Sequence, residues 1–143
     1  MKTNPNKTTF KNIKKKEDEW YLIDAKDEVL GKISEKITKL LVGKNKAEYT
    51  PTQNWGGNVV VINAEKVKVT GKKIKDKKYI HYTGFPHGLR TETFESLMSR
   101  KPTEVIRKAV LGMLPKNKLR KERISNLYIY AGEENPHQAQ LSK

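Results

Sequence analysis

Two hydrophobic periods alternate along this chain. Trp20-Tyr-Leu-Ile-Asp-Ala25 is a short apolar run that ends near an acid, the pattern of a buried strand. Leu30, Ile33, Ile37, Leu40 and Leu41 then share one helical face, with Lys and Glu opposite. Asp27 is placed to cap that helix, and Gly43 to stop it. Residues 44–57 have no clear period and hold Pro51, Gly56 and Gly57, so they read as a loop. Asn58-Val-Val-Val-Ile-Asn63 is the strongest strand signal: β-branched, uninterrupted, and bounded by Gly and Asn. Val67 and Val69 predict a short extended piece.

The second half continues the alternation. Tyr79 to Tyr82 predicts a strand, and residues 83–88, with two Gly and a Pro, a loop. Phe94, Leu97 and Met98 predict a short helix that stops before Pro102, which suits the first turn of the next one. Val105, Ile106, Ala109, Val110, Met113 and Leu114 recur at helical spacing and read as core, until Pro115 ends the helix. Residues 116–123 are a loop or short helix, and Leu127 to Tyr130 form a last strand. Strands alternating with helices predict one α/β domain with a largely parallel, buried sheet. The expected divisions are a basic N-terminal extension over 1–18, an α/β domain over 19–132, and a polar C-terminal tail over 133–143.

Charge narrows the function. The 143 residues carry 30 Lys plus Arg against 16 Asp plus Glu, a net charge of +14. Self-repulsion on that scale favours a polyanionic partner, and nucleic acid is the most abundant one. A membrane surface competes, but it calls for a basic amphipathic helix with exposed apolar residues. Lys-rich codon usage would need no partner. The basic residues fall in separate groups: six Lys in residues 1–16, then Lys72, Lys73, Lys75, Lys77 and Lys78, then Lys116, Lys118, Arg120, Lys121 and Arg123. Separate patches suit a partner that wraps the domain, such as folded RNA, better than one helix in a DNA groove. With no Cys there is no disulfide framework, thiolate metal site or Cys nucleophile. No apolar signal-peptide core opens the chain, so secretion is not expected, and the sequon at Asn6 carries little meaning.

Enzyme motifs largely fail. A phosphate-binding loop ending at Gly71-Lys72 needs Gly where Lys66 stands, and one ending at Gly43-Lys44 needs Gly where Thr38 stands. No Gly-rich dinucleotide fingerprint or nucleophile elbow is present. His81, His87 and His137 lack helical metal-ligand spacing. Asp24 ends a strand, where catalytic carboxylates often sit, but a loop-bonding role is favoured. Residues 79–90 combine aromatics, two His, two Gly and Arg90; they suit RNA contact and an ordinary strand with a turn equally well. The same balance holds for residues 44–51, where Lys44 and Lys46 can reach phosphates while Tyr49 stacks or packs.

These segments resemble the universal large-subunit ribosomal protein L-thirteen family. The likeness runs in order through Trp20 to Ala25, Leu30-Gly-Lys32, Gly43-Lys-Asn-Lys-Ala-Glu-Tyr-Thr-Pro51, residues 61–71, Tyr82-Thr-Gly84 with Gly88-Leu-Arg90, residues 100–117, Tyr130-Ala-Gly132 and residues 136–140. It covers roughly residues 19–140. Asn45 and Tyr82 each stand where the family has His. Asn54-Trp-Gly-Gly57 replaces a commonly acidic stretch, Arg120-Lys121 replaces Gly-Arg, and the N-terminal tail is longer than usual for bacterial members.

The resemblance implies a three-layer α/β/α domain around a short, mainly parallel sheet. It implies a non-enzymatic role, with no cofactor and no small-molecule substrate, binding 23S-type large-subunit rRNA early in assembly beside neighbouring large-subunit ribosomal proteins. The setting would be a cytoplasmic ribosome or an organellar one. Expected phosphate contacts are Lys44, Lys46, Lys72, Lys73, Arg90, Lys116, Lys118, Arg120, Lys121 and Arg123. His81, Tyr82 and His87 are expected at bases or sugars, with the Gly84 and Gly88 backbone close to RNA. The alternatives are an α/β enzyme acting on RNA or nucleotides, an RNA or DNA regulator outside the ribosome, and a membrane-surface protein.

Overall fold

The computed structural model describes residues 19–142; the basic extension over 1–18 lies outside the described residues. Three parallel strands form the central sheet in the order β1–β2–β5: Trp20–Asp24, Asn58–Ile62 and Leu127–Ile129. Tyr21 lies beside Val59, and Val59 beside Leu127, so register carries side-chain alternation across the sheet. One face presents Tyr21, Ile23, Val59, Val61, Leu127 and Ile129 to the hydrophobic core. There it meets α1 (Leu30–Val42) through Leu30, Ile33, Ile37 and Leu41, and α4 (Pro102–Met113) through Val105, Ile106 and Val110.

The opposite face presents Trp20, Leu22, Val60 and Tyr128. The C-terminal tail folds across part of it. His137 lies against Trp20 and Tyr128, with ring centroids 5.1 and 4.6 Å apart, and its Nε2 is 2.9 Å from the Tyr130 hydroxyl. The short helix α6 (Gln138–Leu141) follows and packs on β1. This third layer is thin, and Leu22 stays half-exposed. The domain is thus α/β, with a mainly parallel sheet and helices on both faces.

A second, two-stranded antiparallel sheet stands beside the first. Strand β3 (Lys78–Tyr82) agrees with expectation; its partner β4 (Leu89–Thr93) has no sequence signal. Its Leu-Arg-Thr-Glu-Thr stretch is mostly exposed, so no burial pattern marks it, and only pairing with β3 makes it a strand. The single turn α2 (Lys73–Asp76) is likewise unheralded inside its Lys cluster, with no buried residue. Helix α3 (Phe94–Arg100) starts at Thr93, whose hydroxyl accepts from the Ser96 N–H at 3.3 Å, and Pro102 opens α4. Residues 119–125 resolve the loop-or-helix alternative as α5 (Leu119–Ser125).

Two expectations are corrected. Asp27 does not cap α1; it takes a left-handed backbone, φ 59°, and pairs with Lys68 at 2.6 Å. The extended segment around Lys68 supplies the cap instead, its carbonyl accepting from the Leu30 N–H at 2.8 Å. Met113 is not core but 46% exposed. The chain leaves the helix at Leu114, and Leu114 turns inward in its place. Gly43 does end α1, with φ 84° and its N–H bonded to the Lys39 and Leu40 carbonyls.

The loop over 44–57 closes back onto α1 through Gly56 and Gly57. A Cβ at Gly56 would lie 1.8 Å from the Leu41 carbonyl oxygen, so backbone must move to admit one. Gly56→Ala is expected to destabilise the domain by about 3 kcal/mol, the upper range for overpacking, read from the midpoint of urea unfolding.

Candidate nucleic-acid interface

Each group of basic residues sits on a different element. In the first, Lys44 is exposed just past the α1 cap. Lys46 is mostly buried and pairs with Glu19 at 2.9 Å. The same carboxylate accepts from the Tyr21 hydroxyl at 2.5 Å, and Asn45 Nδ2 donates to that hydroxyl at 2.9 Å. The bond from Tyr21, then the one from Lys46, holds the Glu19 pKa below its ordinary value. Burial, reinforced by the bond to Glu19, raises the Tyr21 pKa. Tyr49 packs against the core, so of its two readings the structure selects packing. Trp55 is also buried, its Nε1 donating to Thr50 Oγ1 at 2.9 Å.

The second group surrounds the β3–β4 hairpin. Lys72, Lys73, His81, Tyr82, Gly84, His87 and Arg90 are all exposed. His81 lies opposite Arg90 in the ladder, and Tyr82 opposite Leu89. Gly88 is buried, and a Cβ there would lie 2.1 Å from Thr83 Oγ1 and 2.7 Å from the Phe85 carbonyl oxygen. The turn itself therefore requires this glycine, and its backbone is not open to a ligand. Tyr79 is half-buried at the hairpin base, with the Lys77 and Lys108 ammonium groups 5.5 and 5.0 Å from its ring centre.

In the third group, Lys116, Lys118 and Lys121 are exposed. Arg120 folds back and donates to the Leu111 carbonyl. Arg123 is corrected outright as a phosphate contact: it is 1% exposed, and donates from Nη2 to the Gln53 carbonyl at 3.2 Å. It ties α5 to the long loop and forms no ion pair among the described residues. A run of alternating cations cannot tell from sequence which one the helix turns inward.

Among the described residues no group of three or more His, Asp or Glu could hold a metal ion. Asp24 Oδ1 accepts from the Lys26 N–H at 2.9 Å and from Asn63 Nδ2 at 2.8 Å. Those bonds lower its pKa, opposite to the shift that would poise a carboxylate as a base near neutral pH. The loop-bonding reading of Asp24 therefore stands. No helix among the described residues is long and apolar enough to cross a membrane.

The family model for ribosomal protein L13 matches residues 18–136. The chain belongs to the ribosomal protein L13 family. It is similar to the large ribosomal subunit protein uL13 of Geobacter sulfurreducens, 49% identical over 140 residues and 96% of each chain. The uL13 of Legionella pneumophila strain Corby is 50% identical over 125 residues, 87% of each chain. That of Mycoplasmopsis synoviae is 45% identical over 133 residues, 93% of this chain and 92% of its own. As an L13-family member the chain is a structural, non-enzymatic protein.

Two measurements test this dissection. Arg123→Ala is expected to cost about 3 kcal/mol, since it empties a buried volume and strands the Gln53 carbonyl. Lys121→Ala should stay within about 0.5 kcal/mol in the same urea series. For Glu19, a lowered folded pKa means its stabilisation is complete above the ordinary glutamate pKa and is lost as pH falls through the folded value. Glu19→Gln should therefore lower stability at neutral pH and flatten the acid limb of a stability-against-pH curve.

Proposed function

We propose that this chain is a structural component of the large ribosomal subunit, held on its 23S-type rRNA by phosphate contacts from separate basic patches and acting early in subunit assembly. One observation carries the reading. Lys44, Lys72, Lys73, Arg90, Lys116, Lys118 and Lys121 are exposed on three separate segments and form no ion pair among the described residues. The L13 relatives are named as large ribosomal subunit proteins, which supplies the polyanion.

The mechanism is electrostatic. RNA helices brought together repel through their phosphates. Cations fixed on a packed domain meet those phosphates and release condensed counterions. Lys46 and Arg120 are partly engaged inside the protein, by Glu19 and the Leu111 carbonyl, and contribute less. His81, Tyr82 and His87 face solvent beside the second patch and contact bases or sugars, with the exposed Gly84 turn close to the strand. Neighbouring large-subunit ribosomal proteins complete the surroundings, and the setting is a cytoplasmic ribosome.

Sucrose-gradient sedimentation of a lysate in Mg²⁺ and moderately high salt should recover the protein in stoichiometric amounts with the large subunit. Recovery only in light fractions would reject the ribosomal role. For the patch chemistry, Lys72→Gln with Lys73→Gln should reduce the slope of log affinity against log salt by about 1.4 or more, two phosphate contacts' worth.

A further inference from the structure

The β3–β4 hairpin holds four of the seven large apolar side chains that the described residues leave exposed. They are Ile80 at 68%, Tyr82 at 61%, Phe85 at 73% and Leu89 at 62%. Register places Ile80, Tyr82 and Leu89 on one face, with Thr91 and Lys78. His81 and Arg90 lie on the other, with Tyr79 and Glu92. Phe85 sits in the connecting turn. Apolar surface is driven out of water, so a cluster of large apolar groups left in it marks a contact surface.

The frame that displays them is held at both ends. At the base, Phe94 N–H donates to the Lys77 carbonyl at 2.9 Å. The Arg100 guanidinium grips Glu92 with two bonds, 2.7 and 3.2 Å. At the tip, Gly88 N–H donates to the Phe85 carbonyl at 2.8 Å and Thr83 N–H to the Gly88 carbonyl at 3.1 Å. The cluster is therefore presented on ordered backbone, which reduces the entropy lost on binding.

Charge identifies the occupant. Lys72, Lys73, Lys75 and Lys77 precede the hairpin in sequence, Lys78 and Arg90 lie on its strands, and none of the six is ion-paired among the described residues. The acids in the same stretch are Asp76 and Glu92, and Arg100 already holds Glu92. The ligand must offer flat apolar surface and negative charge together. A fully paired RNA helix offers phosphates and sugars but hides its base faces in the stack. An unpaired nucleotide offers both.

We propose that this hairpin is a site for unpaired RNA bases, with Tyr82 and Phe85 stacking on them and Ile80 and Leu89 filling the space beside them. The proposal deepens the RNA-binding reading above and rests on it. The surrounding lysines hold the backbone of the same strand.

The test uses the full chain and two RNA probes, a stem-loop with an adenosine-rich loop and a fully paired duplex of equal length, across a salt series. Tyr82→Ala with Phe85→Ala should weaken stem-loop binding by about tenfold or more, as expected for losing one or two stacked bases. Duplex binding and the salt slope should hold, and the unfolding midpoint should not move, since both side chains are exposed. Equal weakening on both probes, or none on the stem-loop, overturns the proposal. Loss of the variant from large subunits with unchanged stem-loop affinity also overturns it, and assigns the apolar face to a protein neighbour instead. If the native chain binds neither probe, the RNA-binding reading itself falls.

Discussion

Strand β2 is the constraint on which the rest of the structure depends. It is hydrogen-bonded on both edges, to β1 and to β5, and Val59, Val60 and Val61 are fully buried. A central parallel strand has no edge from which its N–H and C=O groups can reach water, so both neighbours must be present. Parallel pairing also forces long crossovers, and these crossovers are the helices. Between β1 and β2 the chain must return through α1 and the long loop; between β2 and β5 it passes through the hairpin, α3, α4 and α5. Among the described residues, the basic segments lie on or beside these connections, so the sheet decides where their charge can be displayed.

Charge and core are kept apart with one exception. Among the described residues, Arg123 is the one Lys or Arg classed as buried. It bonds the Gln53 carbonyl from α5, adding a polar tie to two connections that already pack through the apolar faces of α1 and α4. The remaining Lys and Arg side chains of the described residues are partly or fully exposed, and the chain's net charge of +14 resists compaction until an anion meets it. A small packed domain tolerates this because its stability comes from the buried sheet and two helices, not from surface ion pairs, which individually are worth little.

With the exception of β3, whose aromatic and β-branched residues mark it although it stays exposed, the elements visible in sequence were those that bury a face. The valine run of β2, the Leu and Ile stripe of α1, and the Val105–Val110 face of α4 all carry the period their geometry demands. Elements with no buried face were invisible: β4, α2 and α6 exist through pairing or packing against something distant in sequence. Asp27 and Met113 show the same limit at single residues. Asp27 had the right chemistry for a cap, yet a backbone carbonyl from Lys68 took the position first. Met113 had the right spacing, yet the helix ended beside it.

For the candidate interface, sequence determined composition and tertiary structure determined availability. Residue types and spacing alone determined the α/β class, the excess of cations and the failure of enzyme motifs, because these depend on local pattern and on which side chains exist at all; the family entered as a resemblance of ordered motifs, which the match over residues 18–136 bears out. Only the fold could decide that Arg123 turns inward, that Lys46 spends itself on Glu19, that Gly88 serves its own turn, and that Ile80, Phe85 and Leu89 stand in solvent around Tyr82. The physical reason is that accessibility is a property of what covers a residue. The groups that cover it, or leave it bare, come from parts of the chain that no local period connects.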